Sequence, residues 1–516
     1  MSLANLLAVL MAVALLGHAE GTKARNLGND GFVHVPAPEL RFAEDRANGR
    51  ENALRESETS DVEAIRITLP NGVIVETELE INLWLLADSY KELAVEADGS
   101  MRTIEDAAPQ RDCYFLSKRE ASSSSSNNAV VAISTCSGVL TGSILTNDGQ
   151  RFELEHKLGS YSARARKLGD LYGSFDMDQV LQQPAPTYIN VSTDDGIFTK
   201  SASTSAASTS NANARTTEVG TSISGDEELY IEILIVSDLE RVSSFANETD
   251  LTAANLRIMN QVAAYYSSAD WSGVNINIGL SGQILLTTDV FGVDADTNGE
   301  TNVTELLSAF NEYRWSNLDS LPSHDTMHLL SGTDFTDSVV GLAYLGSVCD
   351  EETLCSRVDD SECLSATGGC CSVLAVNGCC IRRAAAISQM IVGYELLGAE
   401  TVAHETGHQL GFVHDGTSGA DNCATSGSVM ASVVDASADL ASQTFSSCSI
   451  ATFVETFETS EETSGYHPYE CLTNVPSSVL SGNETINPSS SPKAFSTVSA
   501  GSFAVSLVSM LWLRAV

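Results

Sequence analysis

The residues best suited to chemistry form one run, His404-Glu405-Thr406-Gly407-His408-Gln409-Leu410-Gly411-Phe412-Val413-His414-Asp415. Residues four apart on a helix share a face, so His404 and His408 can offer ring nitrogens to one ion, with Glu405 beside it. A third imidazole on the same helix would point elsewhere. Gly411, however, can take the left-handed conformation that ends a helix and turns the chain back, which delivers His414 from the side. Three imidazoles with no fourth protein ligand describe a catalytic zinc site rather than a structural one. The open position admits a water that ionises near neutral pH, and Glu405 is placed to take its proton and hand it on, the chemistry of amide hydrolysis. A bare H-E-x-x-H recurs on unrelated helices as a solvated face with two histidines. Gly411 and His414, both in register, make the longer pattern far more specific.

These side chains need elements to hold them. Apolar periodicity predicts a strand over 229–236, a helix over 252–268, a strand over 274–286, a helix over 303–315, strands around Met327 and Leu342, and the active helix over 399–410. That alternation is an α/β pattern. Upstream, alternating runs at 65–69 and 73–86 predict a β-rich region, and 122–126 is a serine loop. A Ser/Thr/Ala/Asn tract over 200–224 is too polar to bury a core and reads as a linker, with the boundary near Gly225. Of 516 residues, each half is long enough to bury a core of its own.

The same segments resemble the adamalysin (reprolysin, ADAM) branch of the metzincin zinc proteases. Beside the zinc motif, Met430 in Ser428-Val429-Met430-Ala431 lies where that clan has a methionine turn beneath the metal. Tyr230 to Asp238 resembles the family's first strand, His324 to Gly332 a central strand, and Val340 to Gly346 with Cys349 the edge strand. Phe445-Ser446-Ser447-Cys448-Ser449 and Cys471-Leu472-Thr473-Asn474-Val475-Pro476 resemble the closing signatures. Cys113-Tyr114 and the stretch from Val130 to Thr141 resemble the propeptide. The resemblance implies an α/β metzincin catalytic domain, a mixed and mostly parallel sheet with the zinc on the active helix, preceded by a β-rich propeptide. It implies zinc bound by His404, His408 and His414, Glu405 as catalytic base, and Gly341, Leu342 and Ala343 as the edge where extended substrate adds by backbone pairing. It also implies calcium at Glu232, Asp325, Asn474 and the carbonyl of Cys471, all oxygen donors. For the last group the alternative is ordinary surface or capping polarity. Disulfides Cys113–Cys136, Cys349–Cys471 and Cys423–Cys448 follow from the same resemblance. An unpaired propeptide cysteine, which holds many relatives latent, is not found. Arg164 to Lys167 and Arg215 are the basic alternatives for processing.

The resulting order is a signal peptide at 1–19, propeptide at 20–199, linker at 200–225, catalytic domain at 226–476, Ser-rich stalk at 477–501 and apolar tail at 502–516. The apolar run from Leu3 to Leu16 ending in Gly17-His18-Ala19 suits export. The tail is too short to span a bilayer, and small residues at 489–491 before it suit a glycolipid-anchor signal. A short span or a buried helix are the alternatives. Export oxidises cysteines, and Cys355, Cys363, Cys370, Cys371, Cys379 and Cys380 form an insertion that departs from the family, a disulfide-stapled loop or a second zinc cluster. With 68 acidic against 27 basic residues the surface repels nucleic acid and anionic membranes. Sequons at Asn190, Asn247, Asn302 and Asn483 suit a glycosylated exterior. The expectation is a secreted or surface-anchored zinc endopeptidase acting on proteins or peptides, with its own propeptide as partner. The alternative is a catalytically silent binding or adhesion module of the same fold.

Overall fold

The computed structural model describes residues 32–42, 62–104, 111–118, 129–146, 148–158, 162–167, 175–176, 227–336, 339–349, 375–376, 379–380, 384–391, 395–417, 419–434, 444–464, 470–476 and 479. The expected signal peptide, linker, stalk and tail lie outside them, as do Asn190, Arg215, Asn483 and most of the cysteine-rich insertion.

The apolar, β-branched run of β13 (Glu227–Ser237) is buried along nearly its whole length, as expected of a parallel strand covered on both faces. It lies between β14 (Val274–Leu286) and β16 (Thr326–Ser331), parallel to both. β21 (Ala385–Gln389) continues the parallel order beyond β16, and β18 (Gly341–Ala343) closes that end antiparallel. Helices α1 (Leu239–Ser243), α2 (Glu248–Ser268), α3 (Val303–Asn317), α4 (Glu395–Gln409) and α5 (Ser447–Ser464) complete this part. Asp238, Asn247 and Asn302 cap α1, α2 and α3 by accepting from free first-turn N–H groups. Two of these caps are therefore sequon asparagines.

Residues 33–167 fold mainly into a second sheet. Its strands are β1 (Val33–Pro36), β2 (Glu39–Phe42), β3 (Val62–Thr68), β4 (Ile74–Ile81), β7 (Tyr114–Ser117), β8 (Val130–Ser134), β9 (Val139–Leu145), β10 (Arg151–Lys157) and β11 (Ser162–Lys167). They lie in the order β1-β11-β10-β9-β8-β7-β4-β3-β2, antiparallel throughout. Arg164 to Lys167 lies within β11, where Arg164 pairs with His34 on one side and Glu155 on the other.

Two strands of this region belong elsewhere. The run expected as one strand over 73–86 breaks at 82–85, where the N–H of Leu85 donates to the carbonyl of Asn82 in a tight turn. The chain then enters β5 (Leu86–Val95) and β6 (Met101–Thr103), which join the catalytic sheet in the order β18-β21-β16-β13-β14-β5-β6, with β5 parallel to β14. Residues 35–165 bury a core of their own, built on Ile65, Ile67, Phe115, Ile133, Phe152 and Leu154, as expected of that half, and a further cluster is shared between the halves. The shared cluster contains Leu85, Leu86, Tyr114 and Leu116 together with Ile231, Met259, Val402 and Met430. The physical reason is the buried outer edge of β14 from Leu280 to Leu286, whose backbone groups β5 pairs. A small pair links β12 (Phe175–Asp176) to β22 (Val433–Val434). Further pairs join β15 (Glu300–Thr301) to β17 (Asp334–Phe335) and β19 (Ala375–Val376) to β20 (Cys379–Cys380).

Fully buried Trp271 anchors an aromatic cluster under α4. Its ring stacks on Phe412 at 5.7 Å and meets Phe445 at 5.0 Å and Phe453 at 5.4 Å, while its indole N–H donates to the carbonyl of Tyr266. Trp271→Ala is expected to destabilise the protein by about 3–5 kcal/mol, read from urea unfolding; a loss below 1 kcal/mol would show that the cluster repacks.

Candidate metal centre

α4 presents His404 and His408 on one face, and the helix stops at Gln409 because Gly411 takes φ +95°. The chain reverses there and brings His414 back, so that the Nε2 of His414 lies 3.0 Å from that of His404 and 3.1 Å from that of His408. Each helix imidazole is oriented by its far nitrogen. His404 Nδ1 donates to the carbonyl of Val429 at 2.6 Å, and His408 Nδ1 to that of Phe412 at 2.7 Å. With the protons on Nδ1, both Nε2 lone pairs face the third imidazole, an arrangement that a shared cation satisfies and three neutral rings alone do not. All three rings are buried. Burial, then mutual repulsion, lowers the pKa of His404 and of His408, the latter to about 3, and burial lowers His414 to about 4. That favours the neutral form a metal requires. The donor set fits zinc.

Glu405 is buried beside this triad, and burial drives its carboxyl far above the ordinary range. Among the described residues its Oε2 has no hydrogen-bond partner. Gly341 on β18 packs so closely that a Cβ there would collide with Oε1 of Glu405 and approach Thr401. The absent side chain lets the edge strand lie against the carboxylate. Leu342 and Ala343 are partly exposed, and β18 ends the sheet order with one edge unpaired by any strand of the sheet.

Met430 is fully buried under α4, its sulfur against Gly407, where a Cβ would come within 2.5 Å. Asp415, the last residue of the motif, has a role that spacing alone did not reveal. Its carboxylate accepts from the hydroxyls of Ser428 and Ser446, and its N–H donates to the carbonyl of Met430 at 2.9 Å. It therefore ties the turn bearing His414 to the methionine turn and to the start of α5.

The other predicted residues are brought together in part. Glu232, Asp325 and Asn474 converge: the N–H of Glu232 donates to Asp325 Oδ2 at 2.7 Å, and the Asn474 amide donates to Glu232 Oε2. Cys471 lies in the adjoining turn Glu470–Thr473, bonded to Cys349. Cys113–Cys136 and Cys423–Cys448 are disulfides as well, so the structure joins all three pairs that the resemblance implied. Asp294-Ala295-Asp296-Thr297-Asn298-Gly299 with Glu305, absent from the motifs above, has the D-x-D-x-N-G-x5-E order of a calcium loop, and Gly299 takes φ +85°. Among the described residues its carboxylates do not converge on one point, as the three imidazoles do.

The three converged imidazoles at the end of α4 form a candidate zinc centre. Residues 229–454 match the reprolysin model described as "Metallo-peptidase family M12". A snake venom metalloproteinase, atroxlysin-1 of Bothrops atrox, is 26% identical over 226 residues, which span 43% of this chain and 89% of that protein. Residues 229–454 are thus similar to a reprolysin-type metallopeptidase domain.

Away from the metal, burial lowers the pKa of His324 and of His328 to about 3, with the Arg314 guanidinium adding to the effect at His324. The unfolded chain protonates these rings near pH 6.5 and the folded chain only near 3, so the unfolded state binds more protons between those values. Their contribution is present above pH 6.5 and is lost as pH falls towards 3. Metal-free protein should lose a few kcal/mol of stability across that window, and His328→Gln should flatten the slope. Parallel slopes for the two proteins would contradict the assignment.

Proposed function

We propose that the chain is a zinc-dependent endopeptidase of extracellular or cell-surface proteins. The observation that carries this reading is the juxtaposition of three converged imidazoles, an unpartnered buried carboxylate and an open edge strand. His404, His408 and His414 would hold the zinc, which when bound supplies Lewis acidity to the scissile carbonyl and acidifies water. An extended peptide pairs its backbone with Gly341, Leu342 and Ala343, which lays the bond to be cut beside Glu405. Glu405 takes a proton from the attacking water and returns it to the leaving amine, a role suited to a carboxyl whose pKa burial has raised. Met430 and Asp415 keep the ligand rings in place.

In this reading residues 20–199 are the propeptide. Cys113 is bonded to Cys136, so that region offers no free thiolate from either, and its β12 pairs with Val433–Val434, three to four residues beyond Met430. Export and a glycolipid anchor at the C-terminus complete the proposal. Glu232, Asp325, Asn474 and the Cys471 carbonyl would hold calcium. Calcium should then raise the melting temperature of the parent by several degrees but not that of Glu232→Gln; equal shifts would remove the site.

The alternative, a silent module of the same fold, is tested by activity. Full-length chain cut within 200–225 should cleave an unfolded protein, lose cleavage to a chelator and regain it with zinc. Glu405→Ala should lower kcat/KM by about 10²–10⁴-fold with zinc still bound, whereas His414→Ala should lose zinc in direct titration. Folded, zinc-loaded, cut protein without cleavage would favour the module.

A further inference from the structure

The outer edge of β14 and the backs of α2 and α4 form an interface made for residues 62–167. We propose that these residues are a permanent part of the catalytic unit, so that cutting the chain between 168 and 226 yields a two-piece enzyme rather than a free catalytic domain. The activity arm of the test rests on the protease reading; the association arm does not.

The catalytic strand itself is shaped for this partner. β14 pairs with β5 from Gly282↔Lys91 to Leu286↔Val95, and the N–H of Leu280 donates to the carbonyl of Leu85 at 2.9 Å. A Cβ at Gly282 would lie 2.7 Å from the carbonyl oxygen of Lys91, and one at Gly279 would collide with that of Trp84 as well as with the Tyr230 ring. Without β5, the outer edge of β14 from Leu280 to Leu286 would lose its strand partner.

Buried polar groups of the catalytic part also find their partners across this interface. Asn260 on α2 accepts from the Asn82 amide at 3.0 Å and donates to the carbonyls of Phe115 and Ile133 at 3.2 and 3.3 Å. Gln283 on β14 donates to the Tyr90 hydroxyl at 2.7 Å. Glu400 on α4, 3% exposed, takes both terminal nitrogens of the Arg151 guanidinium, Nη2 at 2.9 Å. Removing residues 62–167 would strip these partners at once, leaving a charge on the active helix without its counterion.

Retention does not close the cleft. The sheet order puts β5 and β6 at the end opposite β18, so the docked region and the substrate edge lie on different sides. The β12 segment that reaches Val433–Val434 follows residue 167 in sequence and can leave while 62–167 stays.

The test introduces a recognition sequence for a site-specific protease between 200 and 225 of the full chain. After cutting, analytical ultracentrifugation without denaturant should show one particle of the uncut mass, and unfolded protein should be cleaved. Arg151→Met should weaken the association of the two pieces at least a hundredfold while the uncut variant stays folded. Two separated pieces from the parent, with residues 226–476 folded and cleaving alone, would overturn retention. A single particle without cleavage leaves retention standing and removes the protease reading. An Arg151→Met pair as tight as the parent removes the ion pair from the argument.

Discussion

Three converged imidazoles, the Nε2 of His414 within 3.1 Å of that of each of the other two, are the constraint around which residues 227–476 are built. A helix supplies two of them by periodicity, but nothing local supplies the third. Gly411 makes the reversal, Val429 and Phe412 fix ring orientation with their carbonyls, and Asp415 clamps the returning strand to Ser428 and Ser446. Beneath them the Trp271, Phe412 and Phe445 rings hold the turn from below, and the Tyr266 hydroxyl donates to the Ala403 carbonyl at 2.9 Å. Rings so buried and so close favour the neutral state, so the same packing that costs hydration prepares the ligands.

The sheet distributes two demands to its two ends. At one end β18 is the last described strand and has no strand of the sheet beyond it. At the other end the same openness would be a liability, since β14 is buried without interruption from Ile278 to Leu286. β5 and β6 cover that end with a strand drawn from far upstream in the chain. A sheet with one edge open thus has the opposite edge closed by a strand from far upstream.

The zinc motif was legible in the sequence because its logic is local: helix period, glycine turn and third imidazole fall within 404–415. The strand 274–286 was legible for a similar reason, a long apolar run between turn residues. The pairing of β5 with β14 was not, because a parallel partner nearly two hundred residues away leaves no periodicity behind, and the 73–86 run looked continuous across the turn at Asn82. Arg151 and Glu400, 249 residues apart, were invisible for the same reason. Asp415 stood in the motif, yet its work depends on Ser428 and Ser446, which only the folded loops bring to it. The helix α5 was hidden behind a cysteine signature read for its disulfide rather than for its period.

α4 shows why local propensity yields to packing at such a site. It contains Gly398 and Gly407, each worth about 1 kcal/mol against helix formation relative to alanine, within a helix of 15 residues. Both are explained by close approach: a Cβ at 398 would collide with Met390, and one at 407 would press on Met430. Every other face is committed as well, His404 and His408 to the metal, Thr401 and Glu405 to β18, the Ala403 carbonyl to α2, and Glu400 to Arg151. A helix with no free face cannot shift to relieve strain at one contact without disturbing the rest. Geometry at the metal is therefore coupled, through a single rigid element, to the docking of residues more than two hundred positions upstream.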